Sequence, residues 1–308
     1  MNALPYIDAE ALGRLVPVRR AVHLLEQALR DGLDPEETPQ RPAIGLPGGQ
    51  LLLMPAATGA YAGVKAVTIA PGNPDRGLPR IQGTYLLFDG DTLTPLAAMD
   101  GIALTNLRTP AVSALAAAHL APEEAASLVV FGSGPQAWGH VLALRAVRPL
   151  ERVTVIARHR GRAEALAGRC AALGLNAGTG DGPEAVAGAD IVACCTTARE
   201  PLFPGKLARD GALVIAVGSH EPDVREVDDD LVARSAVVVE SRASALVEAG
   251  DVIVPIRHGT ITTGHLAGNL AELITGRVAA GPGPRLFKST GMAWEDLVVA
   301  AAAYEAWT

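Results

Sequence analysis

Aromatic residues make up only 4% of this 308-residue chain, and cysteine occurs three times. Cys170, Cys194 and Cys195 form no CxxC pair, and the adjacent two would point to opposite faces of a strand. That argues against a disulfide framework or a zinc site and fits a reducing cytoplasm. Lysine is equally scarce. Lys65, Lys206 and Lys288 stand alone among arginines, so a lysine inside an apolar strand is conspicuous. No uninterrupted apolar run reaches the roughly 18 residues of a membrane helix. The N-terminus has no basic region followed by an apolar one, so no signal peptide is expected and no membrane partner is implied. A formal charge of −7 argues against a nucleic-acid partner.

What remains is an Ala/Val/Leu-rich chain, 49% hydrophobic and long enough for two domains. Val18, Val22, Leu25 and Leu29 share one face of a helix expected over Pro17–Asp31, with Gly32 as its stop. A Pro/Gly-rich stretch, 34–49, follows and contains Arg41. Short apolar runs at Leu51–Met54, Gly63–Ile69, Thr84–Phe88 and Thr92–Ala98 read as strands, with Asp89-Gly90 as a tight hairpin turn. Thr109 and Pro110 suit a helix start, giving a linker helix over Ala111–Leu120.

From Ser127 strands and helices alternate. Strands are expected at Leu128–Phe131, Arg152–Ile156, Ile191–Cys195, Leu213–Val217 and Ala236–Val239, and helices at Gln136–Val147, Arg162–Leu173 and Trp294–Trp307. The fold class is therefore α/β: a doubly wound Rossmann domain over 111–290, plus a smaller α+β domain with a mostly antiparallel sheet over 1–110 and 291–308.

Gly132-Ser133-Gly134-Pro135-Gln136-Ala137 spells G-x-G-x-x-A between an apolar strand and a helix. Gly132 makes the turn, Gly134 lets a pyrophosphate approach the backbone, and Ala137 permits close helix–strand packing. The helix N-terminus presents amides and a positive dipole to the phosphates. A site favouring NAD(H) usually has an acid about 20 residues on, for the ribose 2′-OH. Here the second strand ends in Arg158-His159-Arg160 without one, which favours NADP(H) through a 2′-phosphate and leaves NAD(H) possible. The alternative for this trio is a solvated basic loop. Thr196, Thr197, Gly218 and Ser219 follow strand ends and are secondary contact candidates, or ordinary turn residues.

Lys65 lies in the apolar strand Gly63–Ile69. An unpaired buried ammonium is costly, so it faces a pocket, binds an anion, or has a lowered pKa suited to proton transfer. The alternative is an edge-strand lysine with its head in water. With Arg41 and Arg108 it could hold a small carboxylate. His220 could titrate near neutral pH or be merely exposed. No metal-ligand cluster is visible; His258 and His265 are too far apart for a helical pair.

Taken together, Gly63-Val64-Lys65, the segment Leu104–Ala111 around Arg108-Thr109, the glycine loop, Val217–Asp223 and Phe287–Ala293 with Glu295-Asp296 resemble the ornithine cyclodeaminase/mu-crystallin family over nearly the whole chain. The resemblance implies a homodimer paired through the antiparallel domain, with the C-terminal helix returning to that domain. It implies that Arg41, Lys65 and Arg108 hold a substrate carboxylate beside the nicotinamide, Lys65 also assisting proton transfer. Family members exchange hydride at an amino-acid α-carbon. Those that cyclise ornithine carry an aspartate where this chain has His220, and Arg158 resembles the NADP-using ketimine reductases. The leading expectation is reduction of a small cyclic imino acid. An ornithine cyclodeaminase and a dinucleotide-binding protein without turnover are the two alternatives.

Overall fold

The structure, a computed structural model, describes residues 4–308. These form two compact units. The first comprises 4–28, Glu37–Thr109 and Met292–Thr308; the second comprises Leu29–Glu36 and Pro110–Gly291.

The first unit contains β1 (Tyr6–Ile7), α1 (Ala9–Leu15), most of α2 (Val18–Arg30), β2 (Ala43–Leu46), β3 (Gly49–Ala57), β4 (Tyr61–Ile69), β5 (Ile81–Asp89) and β6 (Pro95–Asp100). Asp8 caps α1, a short helix that sequence periodicity does not signal. The strands form one sheet in the order β1-β6-β5-β4-β3-β2, antiparallel except for β1 beside β6. Burial alternates along β3 and β4, as expected where one face of a sheet is covered. The last helix packs on β3, β4 and β5.

Two expectations are corrected here. Asp89-Gly90 does not make a two-residue hairpin. Asp89 Oδ1 accepts from the Thr92 amide and hydroxyl, Leu93 adopts φ 57°, and β6 begins only at Pro95. The capping carboxylate stabilises a longer loop. Nor does a helix begin at Thr109-Pro110. A single helix, α3, runs Gly101–Leu120 with Pro110 inside it. Asp100 supplies the start, its Oδ1 accepting from the amides of Ile102 and Ala103 at 2.9 Å each. Burial of Ala111 to Ala117 outweighs the hydrogen bond that proline removes.

The second unit holds β7 (Ser127–Phe131), α4 (Pro135–Val147), β8 (Arg152–Ile156), α5 (Arg160–Ala172), β9 (Asn176–Thr179), β10 (Ile191–Cys194), β11 (Leu213–Ala216), α6 (Asp229–Arg234), β12 (Ala236–Val239), α7 (Arg242–Glu248), α8 (Gly250–Arg257), β13 (Leu266–Asn269), α9 (Leu270–Ile274) and β14 (Arg285–Lys288). α10 (Ala293–Trp307) belongs to the first unit. The eight strands are all parallel, in the order β13-β12-β14-β11-β10-β7-β8-β9. The order reverses between β7 and β10, the switch point where doubly wound sheets take their ligands. β7, β10 and β11 are buried at every position, hence their apolar sequences, broken only by Ser127 at the start of β7.

Behind this sheet lies His140 on α4, fully buried. Its Nδ1 reaches the Gln136 carbonyl at 2.8 Å and its Nε2 the Ser113 hydroxyl at 2.9 Å, which a neutral ring carrying its proton on Nδ1 satisfies. Burial pulls its pKa down from 6.5 to about 4. A depressed native pKa gives stability that is present above the unfolded value and lost as pH falls through the native one. The stability difference between wild type and His140→Gln, measured by urea unfolding, should therefore shift against wild type by about 3 kcal/mol between pH 6.5 and 4. A difference independent of pH would mean that the ring protonates without leaving its site.

Candidate active site

The glycine loop performs the turn that its spacing predicts. Gly132 has φ +110°, and a Cβ there would lie 2.4 Å from the Cys195 carbonyl oxygen. Only glycine fits. Gly134 is the N-cap of α4, Pro135 its first residue, and no side chain caps the helix. A Cβ on Gly134 would meet no protein atom within 4 Å, so the space before the helix is open to a phosphate. Ala137 is fully buried where α4 meets β7.

In front of this loop lies a cleft of about 530 Å³. Gly132, Ser133, Gly134, Arg158, His159, Thr196 and Thr197 all line it. Arg160 does not. It opens α5, and its Nε donates to Glu164 at 2.9 Å. Gly218 and Ser219 are not on the wall either: Gly218 donates its amide to Glu226, and Ser219 bonds the Val224 carbonyl. His220 is half-buried in the loop after β11.

Among the lining residues that were not anticipated, two carry ionisable side chains. Cys195 contributes beside Gly132, and burial, then Glu226, push its thiol well above the ordinary range. Asp181 brings a carboxylate from beyond β9 to the same cleft as Arg158. β9 is Asn-Ala-Gly-Thr, with no apolar alternation to reveal it.

In the first unit a buried ion cluster lies between the sheet and two helices. Lys65, 1% exposed, donates to Asp296 Oδ1 at 2.8 Å and to Thr105 Oγ1 at 3.0 Å; its Nζ is also 2.7 Å from Asp296 Oδ2. The guanidinium of Arg108 donates through Nη1 to Glu295 Oε2 at 2.7 Å and through Nε to Asp296 Oδ1 at 3.2 Å. Thr105 and Arg108 are three apart on α3 and so share a face. Glu295 and Asp296 lie in the first turn of α10, where the helix dipole favours acids.

The expected cationic cluster is thus balanced: two cations meet two carboxylates. Burial, and then the neighbouring Arg108 charge, lower Lys65 to about 8, against the pull of Asp296. Beside Lys65 on the paired strand, Tyr85 is raised above its ordinary range by burial and by Asp296. Arg41 lies half-buried just ahead of β2.

A profile of the ornithine cyclodeaminase/mu-crystallin family matches residues 11–308. The chain belongs to this family. It is 35% identical over 315 residues to a Delta(1)-pyrroline-2-carboxylate reductase of Bacillus cereus (strain ZK / E33L), covering 97% of this chain and 95% of that protein. It is also 35% identical over 270 residues to the ketimine reductase mu-crystallin of Rattus norvegicus, covering 84% and 81%. Among solved structures it resembles Thermococcus litoralis Delta(1)-pyrroline-2-carboxylate reductase in complex with NADH and L-proline. The TM-score is 0.93 and the identity 32%, over 98% of this chain and 97% of that one.

Proposed function

We propose that this member of the family is a reductase of a small cyclic imino acid, a pyrroline- or piperideine-2-carboxylate, and that it prefers NADP(H). Similarity over 97% of this chain to a Delta(1)-pyrroline-2-carboxylate reductase, and over 84% to a ketimine reductase, supports the reductase reading. The observation that carries the cofactor preference is Arg158 with His159 on the cleft wall, where β8 ends without an acid.

The glycine loop and the uncapped start of α4 fit a pyrophosphate. When bound, the dinucleotide supplies the hydride. Lys65, Arg108 and Arg41 hold the substrate carboxylate, and Lys65 gives a proton to the imine nitrogen. A lysine brought down to about 8 is well matched to that transfer near neutral pH. Asp296 and Thr105 hold its Nζ, and Glu295 holds Arg108. His220, standing where the ornithine-cyclising relatives carry aspartate, supports imine reduction over ornithine cyclisation. Pairing of two subunits through the first unit is supported by the exposed Ile44 and Leu46 on its edge strand β2.

Asp181 favours a second reading for the cofactor, because a carboxylate in the same cleft could take the ribose 2′-OH of NAD(H). Steady-state rates with pyrroline-2-carboxylate and each reduced cofactor separate the two. The expected result is a higher kcat/KM with NADPH. Arg158→Ala should then cut kcat/KM for NADPH by about 10- to 100-fold while changing the NADH value little. A wild type that prefers NADH, with Arg158→Ala neutral for both, would leave Asp181 as the determinant.

A further inference from the structure

The wall of the cleft formed by Thr196–Ala198 is held from behind by one fully buried carboxylate. Glu226 Oε1 accepts from the Thr196 amide at 2.9 Å and from the Thr196 hydroxyl at 2.7 Å. Its Oε2 accepts from the Gly218 amide at 2.7 Å. The Thr196 hydroxyl oxygen in turn accepts from the Ala198 amide at 3.0 Å. One side chain therefore joins the loops at the carboxyl ends of two neighbouring parallel strands, β10 and β11. The fit leaves no slack. A Cβ on Gly218 would lie 2.1 Å from the Thr196 carbonyl oxygen and 2.5 Å from Glu226 Oε1.

We propose that Glu226 is a positioning residue for dinucleotide binding, its carboxylate fixing the Thr196–Ala198 wall of the cleft by bridging it to Gly218. The inference rests on the reading that this cleft takes the dinucleotide. All three donors that meet Glu226 are N–H or O–H groups, so the bridge needs a group that only accepts, and an ionised carboxylate is the side chain that does so. Glutamine at this position keeps the volume and the Thr196 contact but turns an NH2 toward the Gly218 amide, and one strut is lost.

The bridge is also sensitive to protonation. Burial, and then Asp251 on α8, push Glu226 up to about 7, against Lys288 on β14. The charge of Glu226 also acts on the thiols of Cys194, the last residue of β10, and of Cys195, while Arg225, next in sequence, pairs with Asp229. The wall is therefore held firmly above pH 7 and loosened below it.

The test compares wild type with Glu226→Gln, using NADH and NADPH titrated by fluorescence and imine reduction followed at saturating cofactor. Wild type should bind; Glu226→Gln should bind the preferred dinucleotide about tenfold or more weakly, with the KM for the imino acid unchanged within about twofold. Equal dinucleotide affinity in the two proteins overturns the inference. A wild type that binds neither cofactor instead overturns the reading of the cleft. Should the variant fail to fold, amide hydrogen exchange of the wild type decides. Corrected for intrinsic rates, the Thr196 and Gly218 amides should be strongly protected at pH 8.5, and exchange as fast as in an unstructured peptide overturns the bridge.

Discussion

Replacing Lys65 by Met should lower kcat/KM for imine reduction by about 10²- to 10⁴-fold, the range expected when a proton donor is removed, while dinucleotide affinity stays within about twofold. The separation follows from placement. Every residue lining the cleft at the glycine loop, the proposed dinucleotide site, belongs to the second unit, and Lys65 belongs to the first. On the proposed mechanism the ammonium form is the donor, so kcat/KM in the reductive direction should fall as pH rises through about 8. The variant should lack that limb. It should also be less stable by about 3 kcal/mol, because Asp296 keeps only Arg108 as its cationic partner among buried groups. The conservative double variant Lys65→Met with Asp296→Asn separates the two effects: it should regain part of the stability and none of the activity. Retention of wild-type kcat/KM in Lys65→Met would remove this lysine from the reaction.

Lys65 was legible because it breaks a strict pattern. In β4 every second residue is buried and apolar, and a lone ammonium on that face demands a partner or a task. The partner was not legible. Asp296 lies 231 residues away in a helix whose sequence reads as an apolar C-terminal segment with two acids at its start. Only packing of α10 on β4 joins them. The same division holds in the second unit. G-x-G-x-x-A is a local turn, so its residues state its geometry, and β7, β8, β10 and β11 are recognisable as apolar runs. β9 and β13 carry glycine, and β14 is four residues long and enters the middle of the sheet from the far end of the chain. Pro110 misled because a proline inside a helix is ordinarily a boundary. The cap that decides is Asp100, ten residues earlier. Local signals thus identify the glycine turn and the odd charge in a strand, while the ion pairs of Lys65 and Arg108 span distant segments.

The second buried lysine gives a stability experiment of comparable size. Lys288 Nζ lies 2.8 Å from Asp251 Oδ2 and donates to the Ser219 carbonyl at 2.6 Å, with neither charged side chain exposed. Asp251 Oδ1 accepts from the amides of Glu226 and Val227 at 2.6 and 3.0 Å. Two carboxylates therefore face one ammonium where no solvent can screen them. Lys288→Met leaves both acids without a cation, and the expected loss is about 3–5 kcal/mol in urea unfolding at pH 8. Asp251→Asn should cost less, since the amide oxygen still accepts from the two backbone amides and Lys288 keeps Glu226 nearby. Combining the two changes should cost less than the sum of the single losses by about 2 kcal/mol, the signature of a charge pair that is expensive to break and much cheaper to delete. If Lys288→Met loses under about 1 kcal/mol, water reaches this site, and the shift of Glu226 toward neutrality, which depends on its dryness, goes with it.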